Sequence, residues 1–425
     1  MKAIDQVRVG VRVLSAMRSQ WWPADRIRDY QERALNRMLR HAVANVPVYQ
    51  RLGVHPDSIT GSADLDRFPV IGKADLQREP DAFLATGLAR GELHASRTSG
   101  SSGQPTTTYF DHRAWLLSKY ALKMRRVAAT AGLPLLRRVM IVSETRPGSL
   151  GALAQAAPRG FGLYQTRYVS IHTPTDQHLT VLVEYRPHII YASPSYLLDL
   201  VTTAERRGEA LPRVAVLQTS SEALTAAARR RIEAAFSGRL YDVYGSTEFK
   251  EVAWQCHAGR YHLNFEGVFL EMGEPGSVGP ALLSSLCNVA MPLLRFDIGD
   301  RVRFTSNDCP CGRASPQMLE FLGREADMIN LQSGRRLSPY VLTTVVEEED
   351  SILQYRIVET APSAFRLDVV VRSPGQSETW SARVCAELRR VIGEPASVTV
   401  SEVAMLPPAA SGKRSVFVRA RADLA

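Results

Sequence analysis

Residues 98–106 read TSGSSGQPT, a run composed mainly of glycine, serine and threonine. Such a run disfavours the interior of a helix or a strand. Glycine lets backbone N–H groups come close to a phosphate, and hydroxyl groups add further donors. The run has neither the ending of a P-loop nor the glycine spacing of the dinucleotide fingerprint. By itself it is equally compatible with a phosphate-binding loop and with a flexible surface loop.

The chain on the C-terminal side of this run alternates between strand-like and helix-like segments. Rows of β-branched residues stand at 137–143, 188–193 and 213–220, and helical periodicity is found at 195–208 and 223–236. This alternation predicts an α/β domain with a mixed, partly parallel and largely buried sheet. Residues 261–305 are rich in strand-like runs and predict a β subdomain.

Sequence patterns on both sides of this domain predict further structure. Residues 26–46 place apolar side chains at helical spacing, which predicts an amphipathic helix that ends before Pro47. Beyond residue 328 the remaining segments read as strands and helices in mixed order, and they predict a small α+β domain. We therefore expect a large N-terminal domain over residues 1–323 and a C-terminal domain over residues 324–425.

The charge of the chain comes mainly from arginine. The net charge is +9, and six lysines among the 52 basic residues leave 46 arginines. These arginines are scattered among acidic residues and form no basic stripe with interleaved aromatics, so the sequence predicts no nucleic-acid binding. The resulting positive field is sufficient to attract anionic small molecules.

Hydropathy and cysteine content indicate the compartment. No window approaches 18 uncharged apolar residues and no secretory signal is recognisable, so the sequence predicts no membrane span. Five cysteines, an odd number in a chain of 425 residues, do not suggest a secreted disulfide framework. A reducing cytoplasm is the expected location.

Four further motifs follow the glycine-rich run in order along the chain. They are YDVYGSTE (241–248), LRFDIGD (294–300), GREADMI (323–329) and LPPAASGKRSVFVR (406–419). Each could serve a purely structural purpose when taken alone, such as a helix cap at Glu248 or a turn after Gly299. Together and in this order, they resemble the adenylate-forming superfamily of acyl-CoA synthetases.

The resemblance implies a nucleotide site. The residues that would bind the phosphates of ATP are Thr98, Ser99, Gly100, Ser101, Ser102, Gly103 and Thr106. Tyr244 would stack on adenine, with Asp242 and Gly245 beside it. Glu248 would hold Mg²⁺, because this ion takes hard oxygen ligands that it shares with phosphates.

The later motifs imply the remaining roles. Asp300 and Arg324 would bind the ribose, and Lys413 would act on the acyl carboxylate and the α-phosphate. Lys413 and Glu248 are thus the candidate catalytic residues. The resemblance also makes the C-terminal domain mobile, with its hinge at Ala326 and Asp327. Ala326 departs from the family, which usually has Asp or Lys at that position.

The N-terminal region narrows the resemblance. The segments RMLRHAVANVPVYQRLGV (37–54) and LDRFPVIGKADLQ (65–77) are similar to the start of phenylacetate–coenzyme A ligase-like enzymes. This implies ATP-dependent activation of a carboxylic acid to an acyl-adenylate, and transfer of the acyl group to coenzyme A. Transfer to an amine or another acceptor, and a degenerate homologue that binds nucleotide without turnover, remain open alternatives, as does a homodimer.

Aromatic residues near the expected acyl pocket suggest an aryl acid, although aromatics are also ordinary core residues. They are Tyr164, Tyr196, Phe249 and Trp254.

Two pairs of metal-binding residue types predict a structural zinc site. Cys309 and Cys311 form a C-P-C-G-R knuckle, and Cys256 and His262 lie about fifty residues earlier, with His257 as an alternative ligand. Thiolate and imidazole ligands suit tetrahedral Zn²⁺. The spacing C-x-C is tighter than the usual one, and two reduced thiols in a turn with a surface histidine remain the alternative.

Overall fold

The computed structural model describes residues 3–97, 105–132, 137–143, 164–305, 308–373, 375, 379–407 and 415–420. Its α-helices are α1 (Ala3–Ser19), α2 (Ala24–Asn45), α3 (Pro47–Gln50), α4 (Lys73–Arg78), α5 (His112–Trp115), α6 (Leu122–Ala131), α7 (Thr175–Tyr185), α8 (Pro194–Arg207), α9 (Ala226–Phe236), α10 (Pro339–Glu347) and α11 (Ser381–Ile392). Turns of 3₁₀ helix lie at Pro56–Ser58, Ser62–Arg67, Pro80–Phe83, Arg90–Glu92 and Glu325–Asp327, and a π-helical turn at Leu116–Ala121.

The strands are β1 (Ile71–Gly72), β2 (His94–Arg97), β3 (Thr107–Phe110), β4 (Arg137–Ser143), β5 (Tyr164–Ser170), β6 (Ile189–Ala192), β7 (Val216–Ser220), β8 (Arg239–Ser246), β9 (Lys250–Gln255), β10 (Tyr261–Leu263), β11 (Val268–Leu270), β12 (Val278–Ser285), β13 (Phe296–Thr305), β14 (Gln317–Arg324), β15 (Ile329–Asn330), β16 (Arg336–Leu337), β17 (Ile352–Ala361), β18 (Ala364–Val371), β19 (Ser397–Glu402) and β20 (Phe417–Arg419).

The chain divides into two compact units, and each is assembled from separate stretches of sequence. Among the described residues, the first unit holds 3–132 and 241–321. The second unit holds 137–143, 164–240 and the C-terminal stretch from residue 322 to residue 420. The chain passes from the second unit to the first within strand β8, between Leu240 and Tyr241.

A largely antiparallel sheet forms the centre of the first unit. Its strands follow the order β11-β12-β13-β14-β10-β9-β8, and β1 adds in parallel to β13. Helix α2 supplies much of the core, because its apolar side chains recur every three or four residues and belong to the same cluster as those of the strands. The predicted amphipathic helix at 26–46 and the predicted β subdomain are both confirmed.

One long helical segment, from His112 to Ala131, crosses the first unit. The Asp111 carboxylate caps its start by accepting hydrogen bonds from the backbone N–H groups of Arg113 (2.9 Å) and Ala114 (3.0 Å). The π-helical turn Leu116–Ala121 interrupts it, which shifts the side chains on either side relative to a regular helix. The segment ends at Gly132, whose φ of 73° suits glycine.

The second unit contains a parallel sheet and an α+β segment. The strand order of the parallel sheet is β7-β6-β4-β5, and α7, α8 and α9 share its hydrophobic core. The C-terminal stretch forms a four-stranded sheet in the order β19-β18-β17-β20, with α10 and α11 in its core. The predicted fold class is therefore confirmed, whereas the domain limits 1–323 and 324–425 stay predictions.

No helix in the described part of the chain is long and apolar enough to cross a membrane.

Candidate functional site

The end of strand β8 holds two of the predicted nucleotide-binding side chains on one face. Asp242 and Tyr244 are two residues apart, so both point to the same side of the strand, and both are buried. Tyr261 on β10 donates a hydrogen bond of 2.5 Å from its hydroxyl to Oδ2 of Asp242. The backbone N–H of Asp242 donates to Oε1 of Gln255 at 3.1 Å. The Asp242 carboxylate is therefore fixed in position.

Strand β13 brings the third predicted residue to the same place. The hydroxyl of Tyr244 donates to Oδ2 of the buried Asp300 at 2.8 Å. Gly299 precedes Asp300 with φ at 79°, and its N–H donates to Oδ1 of Asp297 at 2.8 Å. The ring of Phe321 lies 5.7 Å from that of Tyr244, centre to centre. The structure thus brings Tyr244 and Asp300 together, as expected if they share one ligand.

The turn between β8 and β9 is tight, and it positions Glu248. A Cβ atom on Gly245 would lie 2.3 Å from the backbone oxygen of Lys250, so only glycine fits. Lys250 itself has φ at 65°, an uncommon conformation for a residue with a side chain. The Ser246 hydroxyl accepts a hydrogen bond of 3.2 Å from the N–H of Phe249. Glu248 stands half-buried within this turn.

The turn is attached to the base of the glycine-rich run. Strands β2 and β3 form a hairpin in which Arg97 pairs with Thr107, the residues that flank this run. The hydroxyl of buried Ser96 on β2 donates to the backbone oxygen of Thr247 at 3.2 Å and accepts a hydrogen bond from the Lys250 ammonium. Through these contacts the segment that carries Glu248 lies at the point where the glycine-rich run begins.

Several predicted residues lie outside the described residues. These are Thr98, Ser99, Gly100, Ser101, Ser102 and Gly103 of the glycine-rich run, and Lys413. Thr106, the last predicted residue of the run, is described and is buried.

Lys250 was not among the predicted site residues. Its ammonium nitrogen lies 5.0 Å from the centre of the Phe110 ring and 5.2 Å from that of Trp115. The ammonium of Lys119, on the π-helical turn, lies 4.5 Å from the same Trp115 ring. Burial, followed by the nearby charge of Lys119, lowers the pKa of Lys250 to about 8. A signal was present in the sequence, since Lys250 is one of only six lysines and follows Glu248 by two residues.

The predicted ribose and hinge residues of the C-terminal motif belong to the second unit. Arg324 ends strand β14 and is exposed, and Ala326 and Asp327 lie in the 3₁₀ turn Glu325–Asp327. Burial raises the pKa of Asp327, although Arg324 and Arg419 act in the opposite direction. Since these residues and Asp300 fall in different units, the structure does not establish one site that contains all of them.

The aromatic residues predicted to line an acyl pocket are core residues where they are described. Tyr196 is buried on α8, and its hydroxyl lies 2.6 Å from Nδ1 of His178. Phe249 is buried with its ring 6.0 Å from that of Phe296. Trp254 is buried against the cysteine cluster. The side chain of Tyr164 lies outside the described residues.

The four predicted zinc ligands are brought together in the first unit. The ligand atoms of Cys256, His262, Cys309 and Cys311 all lie within 4.8 Å of one another, and all four residues are buried. The Sγ atoms of Cys256 and Cys309 are 3.5 Å apart, and Sγ of Cys311 lies 3.3 Å from Nε2 of His262. His257, the alternative ligand, is not part of this cluster.

The surroundings of the cluster favour the protonation states in which His262 and Cys311 can bind a metal ion. Burial and the neighbouring positive charge of Arg313 lower the pKa of His262 to about 4, which leaves its imidazole neutral at pH 7. Nδ1 of His262 lies 2.9 Å from the Ser315 hydroxyl, so Nε2 faces Cys311. Burial opposes ionisation of Cys311, but hydrogen bonds from the backbone and side chain of Arg313 outweigh it and lower the pKa of this thiol.

Arg313 also connects the cluster to the N-terminal helix. Its guanidinium lies 4.3 Å from the ring centre of Trp21 and 5.0 Å from that of Trp254, and its Nε donates to Oε1 of Gln20 at 3.0 Å. Arg313, two residues after Cys311, therefore links the segment that follows α1 to the surroundings of the cluster.

Two buried arginines of the first unit form ion pairs with glutamates. Arg125 donates from Nη1 to Oε1 of Glu266 at 2.6 Å, and Ser19 donates to the same oxygen at 2.6 Å. Arg126 donates from Nε to Oε1 of Glu251 at 2.9 Å. Both arginines are almost completely buried, and pairing offsets part of the cost of removing them from water.

Comparisons with known proteins identify a family and relatives to which this chain is similar. The family described as AMP-binding enzyme matches residues 98–291. The phenylacetate-coenzyme A ligase of Thermus thermophilus is 27% identical over 92% of this chain and 96% of that protein. The ligase of the same name from Aromatoleum evansii is 26% identical over 93% of this chain and 95% of that protein.

Solved structures show the same fold. A 2-hydroxyisobutyryl-CoA ligase in the postadenylation state superposes with a TM-score of 0.79, at 20% identity, over 94% of this chain and 91% of that one. An anthranilate CoA ligase in complex with anthranoyl-AMP gives a TM-score of 0.57, at 16% identity, over 77% of this chain and 67% of that one.

Proposed function

We infer that this chain, which belongs to the adenylate-forming superfamily and to its phenylacetate–coenzyme A ligase-like branch, is an AMP-forming acid–coenzyme A ligase. In the first step a carboxylate attacks the α-phosphate of ATP, and an acyl-adenylate and pyrophosphate are formed. In the second step the thiol of coenzyme A attacks the acyl carbon and AMP leaves. Curated relatives that align over nearly the whole chain carry the name of such a ligase.

The observation that carries this proposal is the junction in the first unit. Tyr244 and Asp300 form one hydrogen-bonded pair, and Ser96 attaches the turn that carries Glu248 to the base of the glycine-rich run. Adenine, ribose and phosphates would therefore meet residues suited to each of them within one compact region. Tyr244 would stack on adenine beside Asp242 and Gly245. Asp300 would accept hydrogen bonds from the ribose hydroxyls.

The phosphates of ATP would be bound by the glycine-rich run. Its backbone N–H groups and hydroxyls would stabilise charge on the leaving pyrophosphate, because preorganised donors stabilise charge that develops during the reaction. These donors come from the residues Thr98, Ser99, Gly100, Ser101, Ser102, Gly103 and Thr106.

Glu248 fits a magnesium ligand. Its carboxylate is an oxygen donor, it is half-buried, and it stands in a turn held by Gly245 and Ser246. Bound Mg²⁺ would neutralise part of the charge on the ATP phosphates. The protein's part in this step is to hold the carboxylate next to the start of the glycine-rich run.

The C-terminal segment would complete the reaction. Lys413 would neutralise charge between the acyl carboxylate and the α-phosphate, and Arg324 would contact the ribose. A change of backbone conformation near Ala326 and Asp327 would then withdraw Lys413 and open the path for the thiol. In this proposal residues 1–323 form the domain that binds ATP and the acid, and residues 324–425 form the domain that moves.

The cysteine cluster fits structural zinc. Its three thiols and one imidazole are soft and borderline ligands of the kind that Zn²⁺ prefers, and their atoms are close enough to surround one ion. Four protein ligands leave no open position for substrate, so this metal would stabilise the fold and take no part in the reaction.

Exchange of labelled pyrophosphate into ATP identifies the acid, and addition of coenzyme A or an amine identifies the acceptor. We expect exchange with at least one member of a carboxylic-acid panel that begins with phenylacetate and includes benzoate, anthranilate and 2-hydroxyisobutyrate. Addition of coenzyme A should then give a thioester. Exchange followed by amide formation only when an amine is added would replace the ligase with an amide-forming enzyme. No exchange with any acid would favour a homologue that has lost turnover.

Substitution of Lys413 should affect the two steps of the reaction differently. Lys413→Ala should abolish pyrophosphate exchange, because the first step loses its cation, and should spare thioester formation from a supplied acyl-adenylate. Equal loss of both half-reactions would contradict this role. The neighbouring Arg414→Ala provides a control for removal of a positive charge from the same segment.

A further inference from the structure

The amine of Lys250, in the first unit, has no role in the functions described so far. Lys250 begins strand β9, two residues after Glu248. Its ammonium donates a hydrogen bond to the Ser96 hydroxyl and lies over the rings of Phe110 and Trp115. In the described part of the chain it forms no ion pair with a carboxylate, although Glu248 attracts it electrostatically.

Lys250 has an unfavourable backbone conformation, and its ammonium lies close to a second positive charge. Lys250 adopts a φ of 65°, which disfavours a residue with a Cβ atom. The ammonium of Lys119 lies over the same Trp115 ring, so two positive charges share one aromatic surface and repel each other. Partly buried cations in such an arrangement are best stabilised by an anion that binds between or beside them.

The contacts of Lys250 indicate which anion this is. The Ser96 hydroxyl that accepts from Lys250 also donates to the backbone of Thr247, next to Glu248. Arg97, the residue after Ser96, pairs with Thr107 at the base of the glycine-rich run. The run from Thr98 to Thr106 contains no lysine or arginine. A cationic side chain for its ligand would therefore come from another part of the chain.

We propose that Lys250, held by Ser96 and the Trp115 ring, binds the β- and γ-phosphates of ATP and the pyrophosphate that they become. This role rests on the proposed function, and it adds a phosphate-binding residue to the adenylation step. The ammonium supplements the Mg²⁺ that Glu248 would hold, because the triphosphate carries more negative charge than one divalent ion neutralises. The ammonium of Lys119, which also lies near the Trp115 ring, adds positive charge to the same region.

The test compares ligands that contain the outer phosphates with one that lacks them. Binding of the non-hydrolysable ATP analogue AMPPNP with Mg²⁺, of inorganic pyrophosphate with Mg²⁺, and of AMP is measured by calorimetry on the full-length protein. Lys250→Met removes the charge and keeps an unbranched apolar chain over the two rings. Lys250→Arg keeps the charge, and Lys73→Met in α4 is the matched control for a lysine elsewhere in the same unit.

We expect Lys250→Met to weaken binding of AMPPNP and pyrophosphate about 10- to 100-fold, the effect of losing one charge-assisted hydrogen bond. AMP should bind with an affinity within about twofold of the wild type, and Lys250→Arg should restore most of the AMPPNP affinity. Lys73→Met should bind all three ligands as the wild type does. In pyrophosphate exchange, the KM for ATP should rise while the KM for the acid stays unchanged.

Three results would overturn the proposal. Equal loss of AMP and AMPPNP binding in Lys250→Met would assign the residue to the folding of the site. Unchanged AMPPNP binding with a raised KM for the acid would place the amine at the acid's carboxylate. A wild-type protein that binds none of the three ligands would remove the proposed function as well, whereas normal wild-type binding with an unaffected Lys250→Met removes only the role of Lys250.

Discussion

The hydroxyl of Tyr244 donates a hydrogen bond of 2.8 Å to Oδ2 of Asp300, and this bond joins strands that are distant in sequence within the first unit. Both side chains are buried. The bond fixes the plane of the tyrosine ring and the orientation of the carboxylate at the same time. A residue proposed to stack on a base and a residue proposed to bind a sugar are therefore positioned by each other.

Tyr244→Phe removes this hydroxyl but keeps the aromatic ring, and it should weaken ATP binding. We expect Tyr244→Phe to raise the KM for ATP in pyrophosphate exchange about 3- to 10-fold, because the lost hydrogen bond orients the ring and the Asp300 carboxylate without itself touching the nucleotide. Asp300→Ala should lower kcat/KM for ATP by about 100-fold or more, because the proposed ribose ligand is lost as well. Tyr185→Phe, in the second unit, is the control. An unchanged KM for ATP in Tyr244→Phe would show that the bond has no role in nucleotide binding.

The cysteine cluster predicts metal content that can be measured directly. Protein purified under reducing conditions without chelator should contain about one zinc ion per chain, as for a four-ligand structural site. Cys309→Ser combined with Cys311→Ser should lose the ion and lower the melting temperature, because α1 and the strands would lose their connection through Arg313. Cys385→Ala, in the second unit, should keep the zinc. Metal analysis that finds no zinc, even after refolding with added Zn²⁺, would leave the cluster as four reduced side chains.

The buried pair of Arg125 and Glu266 should show strong coupling. Glu266→Leu leaves the arginine buried without its carboxylate and should cost about 3–5 kcal/mol of unfolding free energy. Adding Arg125→Met to Glu266→Leu should recover most of this loss, since neither charge then remains buried. Urea denaturation measures both variants.

The exposed pair of Arg51 and Glu79 is the matched control for this experiment. Glu79→Leu should change stability by less than about 1 kcal/mol, because water and salt screen exposed charges. If Glu266→Leu and the double variant are equally destabilised, the loss comes from packing and hydrogen bonds to Ser19 and Asn264 and not from the unpaired charge.

His178 gives the second unit a pH dependence with a defined sign. Burial lowers the pKa of this imidazole below its ordinary value of 6.5, so the folded protein binds the proton less readily than the unfolded chain. Its contribution to stability is therefore complete above about pH 6.5 and is lost as the pH falls below that value. The hydroxyl of Tyr196, 2.6 Å from Nδ1, holds the ring in place.

This dependence can be isolated by substitution. Unfolding free energy measured in urea between pH 5 and 8 should decrease toward acid pH in the wild type, by at most about 1.4 kcal/mol per pH unit for one proton. His178→Gln should have a shallower slope over the same range, even if it is less stable at every pH. Parallel slopes for the two proteins would assign the acid sensitivity to other groups, among which His94 and His188 also have lowered pKa values.

Much of this arrangement could be predicted from the sequence because it depends on local patterns. The spacing of apolar residues predicted α2, and β-branched runs predicted β4, β6 and β7 close to their observed limits. The cluster of Cys256, His262, Cys309 and Cys311 was predicted from residue types alone, since thiols and imidazole in two close pairs are the side chains that Zn²⁺ typically binds. The family resemblance implied that Tyr244 and Asp300 serve one ligand, and the structure brings these two side chains into contact.

The remaining features depend on contacts between distant segments. Lys250 could not be assigned to the site from the sequence, because its contact with Ser96, 154 residues away in sequence, is made only in the folded chain. The aromatics Tyr196, Phe249 and Trp254 suggested a pocket, but burial in a core and exposure to a ligand produce the same residue types. The π-helical turn at Leu116–Ala121 has no sequence signature that distinguishes it from regular helix.

The discontinuous construction of the first unit has a consequence during synthesis on the ribosome. The apolar face of α2 emerges before the strands that share its core, and the strand that carries Phe296 follows more than two hundred residues later. Until residue 321 has been translated, Ile27, Leu35 and Leu39 have no complete sheet to cover them. A nascent chain of this protein therefore exposes a hydrophobic helix while the residues between α2 and these strands are translated, and it should depend on chaperones that bind such surfaces.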